Sequence, residues 1–196
     1  GKKINVALNI SSASPYVLAH ETAHCMGLPD LYSYGGAKGM KNPTGPWDLM
    51  AAASKAGGFL GWHRHKLKWL DAKRKTYVVK GKHRFELTPL NAPSGVSMIT
   101  VPVNDPANPS KVFVVEIAQP IRNLGKVGSV TGVLVYSVDA TLATGLNAVV
   151  VYPKIDLLHA SFEPGDLFEH KEAPLSVKVL KKNEDGSYLI ELDVPS

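Results

Sequence analysis

The chain has 196 residues, 44% of them apolar and 20% charged, the balance of a globular protein large enough for one core or two small lobes. It shows no internal repeat or low-complexity tract, no apolar run long enough to cross a bilayer, and no charged-then-apolar leader at its start. The formal charge of +5 is concentrated in residues 63–84, where nine Lys and Arg stand against the single acid Asp71, leaving −3 elsewhere.

In chain order, residues 3–10 read as a short edge strand and 11–14 as a polar break. Ser14 followed by Pro15 is an N-cap with proline at the first helical position. The helix is expected to run to about Met26, with Tyr16, Val17, Ala23 and Met26 as packing surface. Gly27 then releases the chain and Pro29 forbids its continuation. Residues 33–48 are rich in Gly, Pro, Asn and Ser and read as an irregular loop. A second helix is expected over 54–70, marked by Phe59, Leu60, His63, Leu67 and Leu70. Beyond Thr76 the pattern turns to strands, at 76–80, 84–88, 96–103, 111–118, 130–138, 146–152, 175–181 and 187–193. The last two are joined through Asn183-Glu184-Asp185-Gly186 as a hairpin. The fold class is therefore α+β, with helices first and then an antiparallel, β-rich, sandwich-like region. The composition shifts between Asp71 and Thr76, which separates residues 1–72 from 73–196.

The chemistry concentrates in the first helix. His20-Glu21-Thr22-Ala23-His24, with Gly27 and Asp30 after it, reads as H-E-x-x-H-x-x-G-x-x-D. Two histidines four apart share one helix face, so their imidazoles can converge on one metal ion. Zinc at a catalytic site takes three protein ligands and keeps one position for water. Gly27 tolerates the positive φ of the turn back. Asp30, six residues past His24, is placed to be the third ligand; its alternative is a loop or helix-cap aspartate. A carboxylate ligand leaves the metal less positive, which favours Glu21 as general base on the zinc-bound water. Met50, on a turn after the ligands, is expected beneath the metal as a soft apolar base, or else as an ordinary core methionine. Cys25 follows a ligand histidine but points about 100° away from it and reads as buried filler. His63 and His65 read as satisfied or surface histidines, with a donor near the cleft as the other reading. Tyr32 and Tyr34 read as aromatic packing or as donors to an oxyanion. Asn104, Asp105 and Asn108 read as an Asx turn or as a calcium turn. The basic stretch 63–84 reads as a solvated face, with nucleic acid or an acidic polymer as the competing partner.

The segment from His20 to Tyr32 resembles the active-site signature of the immune inhibitor A family of bacterial secreted metalloproteases. Gly45-Pro46-Trp47-Asp48-Leu49-Met50 is similar to that family's Met-containing segment, and Leu60-Gly61-Trp62 to its following helix. The stretches 112–116 and 132–139 are similar to its later strands, and 162–166 more loosely so. The resemblance implies a secreted, metzincin-like zinc endopeptidase acting on proteins or peptides, with calcium often present as a structural ion. It implies that residues 1–72 are the C-terminal lobe of the catalytic domain, and that the upper lobe, as the amino-terminal part of the same protein, is a partner missing here. The chain departs from some metzincins in carrying Ala51 and Ala52, not a tyrosine, after Met50. The alternative expectation is an inactive fragment, or a β-rich binding module with a vestigial or structural metal site.

Overall fold

The structure, a computed structural model, describes residues 14–35, 41–123, 126–128 and 131–195. The expected strand at 3–10 lies outside them. Ser14 caps the first helix, α1 (Pro15–Cys25), by accepting from the Val17 N–H, with Pro15 in the first turn. The chain leaves α1 through Gly27 at φ +90°, where a Cβ would meet nothing within 4 Å. Glycine is needed there for its conformation, not for space.

The expected second helix over 54–70 is corrected to α2 (Gly61–Lys66), six residues preceded by turns. Two remote carboxylates explain its start. Asp48 accepts from the Leu60 N–H and Glu116 from the Gly61 N–H, so those amides are committed outside the helix. Lys68, at φ +61°, ends the segment as the Trp69 and Leu70 N–H groups fold back to the Arg64 carbonyl.

Among the described residues eleven strands follow: β1 (Lys75–Tyr77), β2 (Gly81–Leu87), β3 (Met98–Pro102), β4 (Lys111–Ile117), β5 (Ile121–Asn123), β6 (Lys126–Gly128), β7 (Val133–Asp139), β8 (Val149–Val151), β9 (Leu167–Glu169), β10 (Ser176–Lys182) and β11 (Tyr188–Val194). Strands β5, β6 and β9 were not expected. Sheet A has the order β1-β3-β4-β7-β8 and sheet B the order β2-β11-β10-β9. The expected antiparallel arrangement holds for every named pairing but one: β1 runs parallel to β3, with Lys75 opposite Met98. The 183–186 turn does join an antiparallel hairpin, β10 to β11.

Sheet A is the middle layer. Along β4 and β7 every second residue, Val112, Val114, Leu134, Tyr136 and Val138, packs with Ala23, Leu28, Leu31, Trp47, Met50 and Leu60 from the amino-terminal segment. Their neighbours Phe113, Val115, Ile117, Val133 and Val135 pack with Val177, Val179, Tyr188, Ile190 and Leu192 of sheet B. A strand buried on both faces is apolar at nearly every position, which is why β4 and β7 read as continuous Val/Ile/Leu runs. The first core thus draws on residues from both sides of 72/73. Of the expected packing surface on α1, only Ala23 is buried; Tyr16, Val17 and Met26 are exposed.

Most of the basic stretch is exposed, as a solvated face would be, and four of its nine Lys and Arg are held by partners within the fold. Arg64 donates to the Phe59 carbonyl and Gln119, Arg74 to the Leu90 and Pro89 carbonyls and Ser97, and Lys82 and Arg84 pair with Glu191. In the 104–108 turn, Asn104 Oδ1 accepts from the Lys111 N–H and Asp105 Oδ1 from the Ala107 N–H, the pattern of an Asx turn. No helix among the described residues is long and apolar enough to cross a membrane.

Candidate metal centre

Helix α1 carries His20 and His24 on one face, and the turn at Gly27 brings Asp30 back against them. The three offer ligand atoms that all lie within 4.8 Å of one another. Asp30 Oδ1 sits 3.0 Å from His20 Nε2 and 3.3 Å from His24 Nε2. Two atoms held about 2.0–2.2 Å from a tetrahedral zinc stand about 3.3–3.6 Å apart, close to these two spacings.

Protonation strengthens the match. His20 Nδ1 lies 3.0 Å from the Leu49 carbonyl, and His24 Nδ1 lies 2.8 Å from the Leu28 carbonyl. A carbonyl oxygen only accepts, so each Nδ1 carries the proton and each Nε2 turns a lone pair inward. Facing them is Asp30 Oδ1, buried and without a hydrogen-bond partner among the described residues. Three converging lone pairs repel one another unless a cation lies between them. Doubly protonated rings would instead set two positive charges against one carboxylate. A divalent ion satisfies all three atoms at once, and the donor set of two imidazoles and a carboxylate suits zinc.

The surroundings hold the ligands in place. Asp30 Oδ2 accepts from the Tyr34 hydroxyl at 2.6 Å, and the Asp30 N–H donates to Thr144 Oγ1 at 3.0 Å. Tyr34 and Thr144 are themselves 2.8 Å apart, and the Gly145 N–H reaches the Asp30 carbonyl. The loop between β7 and β8 therefore fixes the carboxylate. Tyr34 thus serves the carboxylate, and its ring meets that of Tyr32 edge-on, with centroids 6.0 Å apart. Burial first, then the Asp30 carboxylate, push the Tyr32 hydroxyl up to about 12.

Met50 is fully buried in the core that packs α1 and the following turns against sheet A. Its segment is tied to the ligands on both sides: the Leu49 carbonyl holds His20, and the Met50 carbonyl accepts from the Leu31 N–H. Asp48 shapes this turn. It is wholly buried and accepts from the Met50 and Leu60 N–H groups at 2.7 and 2.8 Å and from His63 Nδ1. His63 is therefore a satisfied core histidine. Glu21 lies next to His20 on α1, half-buried, and its carboxylate has no hydrogen-bond partner among the described residues. Cys25 is half-buried, its thiol on the Glu21 carbonyl within the helix.

Sequence reasoning missed Asp48, Thr144 and Glu116. Glu116 is completely buried and accepts from the Gly61 N–H and the Tyr136 hydroxyl, while Tyr136 in turn accepts from the Trp62 N–H. Burial, opposed by those hydrogen bonds, pushes the Glu116 carboxyl up to about 8. A glutamate inside an otherwise apolar strand was the available signal. Comparison with protein-family models, curated protein sequences and solved structures finds no match for this chain.

Proposed function

We propose that the chain carries the site of a zinc-dependent endopeptidase that hydrolyses peptide bonds in proteins. The observation supporting this most strongly is the convergence of His20 Nε2, His24 Nε2 and the unpartnered Asp30 Oδ1, with both Nδ1 atoms committed to carbonyls. His20, His24 and Asp30 would hold the ion. Bound zinc supplies Lewis acidity, which polarises a carbonyl and acidifies a water. Glu21, without a hydrogen-bond partner among the described residues and one residue from His20, is the general base. It takes a proton from the attacking water and delivers it to the leaving amide nitrogen. Tyr34 and Thr144 keep the Asp30 carboxylate aimed at the imidazoles.

The helix, the glycine turn and the buried Met50 segment support reading the arrangement as metzincin-like. Export from the cell, a structural calcium and an amino-terminal lobe over the cleft rest on the resemblance to the immune inhibitor A family and belong to the same proposal. No residues are assigned to calcium.

Elemental analysis is expected to find about one zinc per chain, since a folded three-ligand site binds it tightly. Glu21→Ala is expected to abolish casein cleavage with the zinc retained. Undiminished cleavage by that variant, or full activity after exhaustive chelation, would sink the proposal. Zinc held by a parent chain that cleaves nothing would point instead to a structural metal in a β-rich module.

A further inference from the structure

We propose that a second, separate site binds a small organic anion, a monocarboxylate with a flat apolar body, in a cavity of about 330 Å³ between α2, β1 and sheet A. Its apolar lining includes Met98 and Val112, the lobe-facing residues of β3 and β4, together with the rings of Trp62 and Tyr77. Its polar lining includes His65 and Lys75. None of these residues belongs to the metal centre, so the inference stands apart from the peptidase reading.

The charge is what selects the ligand. Lys82, Lys111 and Lys154 each put their ammonium within 2.8 Å of a carboxylate, on Glu191, Asp139 and Asp166. Lys75 does not. Among the described residues its only polar partner is the His65 imidazole, 3.2 Å away at Nδ1 and 3.4 Å at Nε2. The Trp62 indole N–H likewise has no acceptor among the described residues, and its ring meets the His65 ring edge-on. His65 is held below its ordinary range, first by burial and then by Lys75 and Lys66, so it adds no second charge at neutral pH. A half-enclosed apolar slot with one cation and unused donors is the pattern of a site for a singly charged anion. Two aromatic walls favour a flat body. The larger cavity beside β9 has a mixed charge instead: its Lys154 is already paired, and Glu169 and Glu172 stand with Lys171 and His170 in its lining.

The test is a ¹H–¹⁵N NMR titration with 2-naphthoate and, in parallel, with neutral 2-naphthamide. Naphthoate is expected to shift the Trp62 indole resonance saturably, and naphthamide to bind about tenfold more weakly. Lys75→Met is expected to remove that difference, and Lys75→Arg to preserve it. Equal binding of acid and amide, shifts confined to other residues, or no shift up to about 10 mM ligand would overturn the proposal. Should Lys75→Met not fold, the acid–amide comparison on the unaltered chain decides alone.

Discussion

The two faces of sheet A are held by different physics. Toward sheet B the core is almost wholly Val, Ile, Leu and aromatic side chains in regular strand register. Toward α1 the backbone is irregular, and buried polar groups stand within and around the core: His20, Asp30, Thr44, Asp48, His63 and Glu116. Strands satisfy their own amides. The turns around Met50 and the start of α2 do not, and carboxylates from elsewhere in the chain take that role. The sandwich side is stabilised by area removed from water, and the side of the candidate metal centre by a few specific acceptors. Single polar substitutions should therefore be costly on one face and hydrophobic truncations on the other, with different consequences for the metal.

The largest contrast is expected at Asp48. Asp48→Ala strands the Met50 and Leu60 N–H groups and leaves the buried His63 without its acceptor, a loss of about 3–5 kcal/mol. Because the same turn carries the Leu49 carbonyl that orients His20, zinc affinity should fall with stability. Urea melts with parallel zinc analysis measure both. Leu192→Ala, in the sheet B core, is expected to cost about 3 kcal/mol by leaving a cavity. Its folded fraction should bind zinc as the parent does. If Leu192→Ala weakened zinc binding as strongly as Asp48→Ala, the two faces would not be separable in this way.

What the sequence made legible follows the same division. Helix α1 was readable because its signals are local: Ser14 and Pro15 at its start, histidines four apart, Gly27 and Pro29 after it. Strands β4, β7, β10 and β11 were readable from apolar runs and one hairpin turn. The short α2 was not, since its helical stripe is real but its first amides answer to Asp48 and to Glu116, the latter 55 residues away. The parallel β1–β3 pair and the three-residue β9 carry no local mark of their partners. Of the candidate metal centre, the convergence of His20, His24 and Asp30 was legible by spacing. The Thr144 contact to Asp30 spans 114 residues and has no counterpart in any motif.

That contact ties the candidate site to the β-rich half of the chain, and it sharpens the comparison. Tyr34→Phe removes the hydroxyl that holds Asp30 Oδ2, and Thr144→Val the acceptor of its N–H. Either is expected to lower zinc affinity about 10–100-fold, the usual effect of removing a group that orients a ligand. Competition with a chromophoric chelator reads this directly, and a cobalt-substituted protein should show an altered visible spectrum. Unchanged affinity in both variants would mean that the β7–β8 loop covers the site without orienting it.

The effect most specific to the α1-facing side of sheet A is a pH dependence. Glu116 has its carboxyl pushed from an ordinary 4.5 up to about 8 by burial. Between those values the folded chain holds a proton that the unfolded chain has released. Stability must then fall as pH rises through that window and level off above about 8, with a slope of about 1 kcal/mol per pH unit from this group. Below 4.5 both states are protonated and the contribution is constant. Glu116→Gln keeps the shape and an acceptor for the Gly61 N–H but cannot ionise, so its stability should lose this slope and exceed the parent's most clearly near pH 9. Melts of both proteins at pH 5, 7 and 9 give the difference. A difference independent of pH would mean that Glu116 is charged in the folded chain, with the Gly61 amide, the Tyr136 hydroxyl and nearby Arg64 together outweighing its desolvation.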